Sequence, residues 1–186
     1  GIANLVGGTL VDTFNIGTLG TLSGDITGGT GNDLITQADG ANTWDITAAD
    51  SGDVTDIGSF SSIENLTGGS GVDSFDIAPG GSLSGAIDGG SDSDVLAQAD
   101  GINDWLIQGL NSGTVTDLTG GFSNIENLTG GSDADVFEFD PGQRIEGKLD
   151  GGFGSDTLDI SKYVSSNAVE FLLSGNGTLD GVAGST

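Results

Sequence analysis

The sequence predicts an all-β chain wound as a right-handed parallel β-solenoid. Three observations predict it: a long internal repeat, a shorter period within it, and glycine returning at the same place in each period. Self-similarity of this kind marks stacked units, each too small to bury its apolar face alone.

The long repeat is explicit. Ile63-Glu64-Asn65-Leu66-Thr67-Gly68-Gly69-Ser70 returns as Ile125-Glu126-Asn127-Leu128-Thr129-Gly130-Gly131-Ser132. A weaker copy, Ile2-Ala3-Asn4-Leu5-Val6-Gly7-Gly8-Thr9, precedes the first at nearly the same spacing. Gln37-Ala38-Asp39-Gly40 and Trp44 recur as Gln98-Ala99-Asp100-Gly101 and Trp105. The repeating unit is therefore about 62 residues long, the signature of a repeat architecture. The chain holds three such units, at 1–62, 63–124 and 125–186. They are expected to form one continuous stack within a longer array.

The short period follows the Asp that closes each Gly-Gly-x-x-x-Asp, at positions 12, 33, 73, 94, 135 and 156. The two long gaps halve at Asp50-Ser51-Gly52-Asp53 and Asn111-Ser112-Gly113-Thr114. The series then advances by roughly 20 residues at every step, as stacked coils would. It predicts three coils per unit and eight to nine in all. Two and four places after each Asp stand Phe14/Ile16, Ile35/Gln37, Thr55/Ile57, Phe75/Ile77, Leu96/Gln98, Thr116/Leu118, Phe137/Phe139 and Leu158/Ile160. This alternation is that of a half-buried strand. A second apolar segment follows, as at Leu22/Ile26, Trp44/Ile46, Ile63/Leu66 and Leu83/Ile87, so each coil has two or three strands. Parallel strands spaced ~4.8 Å apart make a rod ~40 Å long, and parallel crossovers favour a right-handed wind.

Composition narrows the function classes. Thirty-six glycines with only two prolines and no three-residue glycine period exclude collagen. Twenty-eight acids against three bases give a formal charge of −25. Such a surface repels nucleic acid and anionic membrane. Without cysteine or histidine there is no disulfide, no thiolate site and no imidazole base or ligand. No apolar run is long enough to span a membrane as a helix.

Stacking the coils stacks their turn acids. Asp12, Asp33, Asp53, Asp73 and Asp94 are expected in one column, which Thr114 interrupts before Asp135 and Asp156. A second, outward column is expected at Asp56, Asp76, Asp117, Glu138 and Asp159. Arg144, Lys148 and Lys162 all lie in the third unit, so neither column can be neutralised by side chains. A hard divalent cation held by carboxylate and carbonyl oxygens resolves the repulsion, which is calcium chemistry. The candidate ligands are Asp12, Asp33, Asp53, Asp73, Asp94, Asp135 and Asp156.

Gly28-Gly29-Thr30-Gly31-Asn32-Asp33, Gly68-Gly69-Ser70-Gly71-Val72-Asp73 and Gly151-Gly152-Phe153-Gly154-Ser155-Asp156 resemble the Gly-Gly-x-Gly-x-Asp core of haemolysin-type (RTX) repeats. In style the whole unit is similar to repeats of giant bacterial surface adhesins of the filamentous-haemagglutinin kind. The resemblance implies calcium held between successive turns by the Asp and turn carbonyls. The family's motif recurs every nine residues, whereas here it comes at most once per coil. Leu10, Asp92 and Asp133 replace its fourth-position glycine, and Thr114 replaces the Asp.

Gln37 and Gln98 fall on inward positions, suggesting an amide ladder or a bend. Trp44 and Trp105 are read as core rather than as sugar platforms. Asn65-Leu66-Thr67 and Asn127-Leu128-Thr129 match a glycosylation pattern, accidental in a bacterial protein. Lys162-Tyr163-Val164 and Phe171-Leu172-Leu173 have no counterparts in earlier units.

The expected function is a structural segment of a secreted bacterial surface or matrix fibre, not an enzyme. Its expected partners are calcium, other copies joined end to end or laterally, and a surface or glycan target reached through other domains. An ice- or carbohydrate-binding adhesin segment is the alternative, with Thr27, Thr47, Thr67, Asp88, Gln108, Thr129 and Asp150 as its broken row. The secretion and folding module of a larger toxin or enzyme is another. A lyase or hydrolase would need clustered bases or a non-repeating carboxylate pair, and neither is evident.

Overall fold

The computed structural model describes residues 3–162 except 19, 39 and 100. The last part of the third unit, including Tyr163-Val164 and Phe171-Leu172-Leu173, lies outside the described residues. The chain is all-β, with two mixed nine-stranded sheets.

Successive strands change sheet. β1 (Leu5–Val6) lies in the first sheet, β2 (Thr13–Ile16) in the second, β3 (Ile26–Thr27) in the first and β4 (Leu34–Gln37) in the second. Three strands then stay in the first sheet: β5 (Thr43–Ala48), β6 (Ser51–Val54) and β7 (Ser59–Ser61). Alternation resumes with β8 (Asn65–Thr67) in the second, β9 (Ser74–Ile77) in the first, β10 (Ile87–Asp88) in the second and β11 (Val95–Gln98) in the first. A second triplet, β12 (Asp104–Gly109), β13 (Ser112–Val115) and β14 (Leu118–Ser123), stays in the second sheet. β15 (Asn127–Thr129) and β17 (Leu149–Asp150) return to the first, β16 (Val136–Phe139) and β18 (Thr157–Asp159) to the second.

The triplets correct the expectation of three equal coils per unit. β5, β6 and β7 pair antiparallel, as do β12, β13 and β14. The physical reason is loop length. Only Ala49-Asp50 joins β5 to β6, and only Leu110-Asn111 joins β12 to β13, too short a link to return a strand parallel. Asp50 and Asn111 take the left-handed conformation at φ 49° and 50°, as such turns require. The two turns found by halving the long gaps are thus hairpin bends rather than coil corners. The remaining strand pairs are parallel.

An odd number of sheet changes per unit has a further effect. The Asn-Leu-Thr strand of the second unit, β8, lies in the second sheet, and its copy β15 lies in the first. From β1 to its equivalent β15 the first sheet advances seven strands over two units. Each unit therefore adds three and a half strands, ~17 Å at the usual strand spacing.

Parallel register places like over like. Trp44, Phe75, Leu96, Leu128 and Leu149 form one inward file through the first sheet. Trp105, Phe137 and Leu158 form its counterpart in the second. With Ile26, Ile35, Ile63, Leu66, Leu83, Ile87 and Ile125 they join one core, each fully buried aliphatic side chain contributing roughly 1.5–3 kcal/mol. Trp44 and Trp105 are core, at 0% and 1% exposure. Gln37 and Gln98 are buried and form no amide ladder. Instead Gln37 Nε2 donates to Thr55 O at 2.7 Å and Gln98 Nε2 to Thr116 O, tying one sheet to the meander of the other. Thr55 sits exposed beyond the meander's middle strand rather than inward, because that strand runs backwards.

The threonine row dissolves in this topology. Thr27 pairs with Ser61 in the first sheet, Thr67 with Asp88 in the second, and Thr129 with Asp150 in the first again. The outward acidic column dissolves as well. Asp56 and Asp117 are left-handed turn residues, Asp76 neighbours Asp45 and Ala97, and only Glu138 and Asp159 stand side by side.

Candidate metal centre

The turn acids form three ladders rather than one column, because the meanders carry each long unit to the opposite sheet. In each ladder a backbone N–H donates to the carboxylate on the next strand. Asp12 N–H donates to Asp33 Oδ1 at 2.7 Å, and Asp33 N–H to Glu64 Oε2 at 2.6 Å. Asn42 N–H donates to Asp73 Oδ1 at 2.8 Å, Asp73 N–H to Asp94 Oδ1 at 2.8 Å, and Asp94 N–H to Glu126 Oε2 at 3.0 Å. Asn103 N–H donates to Asp135 Oδ1 at 2.9 Å, and Asp135 N–H to Asp156 Oδ1 at 3.0 Å. The middle ladder runs Asn, Asp, Asp, Glu and draws on three successive units.

Asp53 does not belong to this set. It lies exposed on β6, opposite Asp45 and Ser59, and Thr114 takes the same place on β13 opposite Leu106. Conversely, Asn42, Asn103, Glu64 and Glu126 complete the ladders without having been singled out as ligands. The signal was present in the verbatim recurrence of Ile-Glu-Asn-Leu and of an Asn five places after each of Gln37 and Gln98.

Glycine makes the ladders possible. A Cβ on Gly68, Gly89 or Gly130, the first glycine of a turn, would collide with the carboxylate that closes it, Asp73, Asp94 or Asp135. The second glycine needs a positive φ, as at Gly69 (102°) and Gly90 (98°).

Some of the ladder acids keep one oxygen unsatisfied. Asp33, Asp73, Asp94 and Asp135 are 0% exposed, and each has an Oδ2 with no hydrogen-bond partner. A backbone carbonyl also borders the first glycine of each turn: Ser62 O at Gly28, Gly89 O at Gly68, Asn124 O at Gly89 and Gly151 O at Gly130. A buried carboxylate oxygen without a partner favours a proton or a cation beside it. Burial pushes the Asp94 carboxyl up to about 6, helped by the charges of Asp73, Glu126 and Asp92. Burial likewise raises Asp73 and Asp135, against the hydrogen bonds that Asn42 and Asn103 donate to them.

The donor set fits calcium in kind, being carboxylate and carbonyl oxygen with no nitrogen or sulfur. Among the described residues no three acids converge into a ready-made cage. Any ion would therefore rest on one or two ladder carboxylates together with backbone carbonyls. The cationic side chains are engaged elsewhere. Arg144 pairs with Glu146 at 2.9 Å, Lys148 with Asp150 at 2.5 Å, and Lys162 with Glu138 and Asp140.

No protein-family model, curated protein or solved structure matches this chain.

Proposed function

We propose that this chain is a spacing segment of a secreted bacterial surface or matrix fibre, a right-handed β-solenoid stiffened by calcium at its Gly-Gly turns. The observation that carries the reading is the set of fully buried carboxylates, Asp33, Asp73, Asp94 and Asp135 among the described residues, whose second oxygen has no partner. A chain of charge −25 keeps those charges buried only if cations or protons fill the ladders. In calcium-rich surroundings the cation prevails, so the segment folds stiffly outside the cell. Asp12, Asp33, Asp73, Asp94, Asp135 and Asp156 are the proposed ligands, with turn carbonyls beside them. Catalysis has no part in this reading.

The rod geometry is testable by small-angle scattering on tandem arrays of three, six and nine units in calcium. The longest dimension is expected to grow by ~17 Å for each added unit at constant cross-section. Growth of the cross-section, as in a globule, would sink the rod reading.

A further inference from the structure

The strand that opens the second unit and the strand that opens the third are bonded alike to the unit before. In β8, Asn65 N–H and Nδ2 both donate to Asp33 O, at 3.0 and 3.1 Å, and Asn65 Oδ1 accepts Ala86 N–H at 3.1 Å. In β15, Asn127 N–H and Nδ2 both donate to Asp94 O at 2.9 Å, and Asn127 Oδ1 accepts Lys148 N–H at 2.9 Å. Each asparagine thus clamps the strand before it to the strand after it. A leucine stacks beside each clamp, Leu66 on Ile35 and Leu128 on Leu96.

β1 carries half of the same clamp. Asn4 Oδ1 accepts Asp25 N–H at 3.0 Å, the bond toward the following strand. Among the described residues no strand lies on the other side of β1, where Asn4 N–H and Nδ2 would meet their carbonyl. The core is open at the same end. Leu5, Phe14 and Ile16 are only partly buried, whereas their copies Leu66, Phe75 and Ile77 are fully buried. The far end presents the complementary edge. Asp33, Asp94 and Asp156 close the second Gly-Gly turn of successive units, so β18 copies β4 and β11, the strands that receive β8 and β15. Among the described residues β18 pairs on one side only, with β16, and Leu158 is partly buried where Ile35 and Leu96 are fully so.

We propose that the β1 edge is a docking surface for a second copy of this chain, seated through β18, so that chains join head to tail in the register they use internally. Asn4 N–H and Nδ2 donate to the carbonyl of Asp156 of the partner subunit, and Leu5 closes on Leu158 of the partner subunit. The joint continues a contact already made twice within the chain, completing clamp and core together. One group is missing from it. Asp33 and Asp94 N–H donate to Glu64 and Glu126, the residues before Asn65 and Asn127, but Ala3 stands before Asn4. The joint is therefore weaker than the internal ones and forms reversibly. This inference deepens the fibre reading and rests on it for the stacked geometry.

Sedimentation and small-angle scattering of the whole chain in calcium, over a range of concentrations, supply the test. Wild type is expected to form a series of oligomers that lengthen at constant cross-section. Asn4→Asp keeps the acceptor for Asp25 N–H but has no amide to donate. Leu5 and Gly7 N–H bond Asp25 O and Thr27 O, so Val6 N–H points away from β3 and Val6→Pro blocks only the open edge. Both variants are expected to stay monomeric where wild type associates, and to melt like wild type in dilute solution. Ala3→Glu supplies the missing acceptor and is expected to tighten association about tenfold. A wild type that is monomeric throughout, association that thickens the cross-section, or variants that associate as wild type does would overturn the docking proposal. The spacing-segment reading would survive those results if tandem arrays still lengthen unit by unit.

Discussion

In chelator, the chain is expected to be more stable at pH 5 than at pH 7.5. Burial raises the Asp94 carboxyl from 3.8 to about 6, and the charges of Asp73, Glu126 and Asp92 add to the effect. A group whose folded value is raised binds its proton more tightly in the native state. Its stabilisation is complete below 3.8 and is lost as pH rises through about 6. For Asp94 that span corresponds to about 3 kcal/mol, of which roughly half remains at pH 5. Asp73 and Asp135 are raised as well, and Asp156 and Asp133 face Asp135 with the same sign of charge. Asp25, Asp150 and Asp159 are lowered, Asp25 and Asp159 by hydrogen bonds from Ser59 and Ser161 and Asp150 by Lys148. They oppose the trend, but they lie at the surface, where screening weakens them. Melting curves at pH 5 and 7.5 in chelator measure the balance, and both pH values avoid the isoelectric point near 4.1. A higher melting point at pH 7.5 would mean that the ladder carboxylates ionise without cost.

Trp44→Ala and Trp105→Ala are expected to cost about 3–5 kcal/mol each, the range for large aromatic truncations in a core. Trp44 opens the first meander and stacks on Phe75 of the next parallel strand, with centroids 5.6 Å apart and planes at 14°. It meets Phe60 edge-on at 6.4 Å across the meander. Trp105 repeats both contacts with Phe137 at 5.5 Å and Phe122 at 6.1 Å. Each indole therefore joins the antiparallel insert to the parallel stack. Both Nε1 atoms are buried without a partner, so Trp→Phe sacrifices no hydrogen bond and should cost far less than Trp→Ala. Urea unfolding of the four variants separates the two: equal losses for Phe and Ala would show that the ring contacts contribute little.

Much of this architecture was legible in the sequence because repetition betrays stacking. The long unit, the inward residues Ile35, Phe75, Leu96 and Phe137, and the turn positions of Asp33, Asp73, Asp94 and Asp135 follow from spacing, whereas the burial of those acids does not. Strand direction does not, because Trp44-Asp45-Ile46 and Gly52-Asp53-Val54 alternate identically whether the chain winds or doubles back. The clue lay in the dipeptide between β5 and β6, which only a hairpin can use. Misreading the meander as a coil also merged three ladders into one column and gave Asp53 a place among them. Glu64 and Glu126 escaped notice for a related reason. Their Asp partners are 31 and 32 residues away, a separation set by the meander and not by the short period.

Circular dichroism and thermal melting at pH 7.5 during a calcium titration, with chelator as control, test the central claim most directly. The account predicts that calcium drives a coil-to-β transition or raises the melting point steeply, that chelator reverses it, and that Asp73→Asn and Asp94→Asn blunt it. A β spectrum and melting point indifferent to calcium and chelator would contradict it, leaving the Gly-Gly turns as purely structural bends.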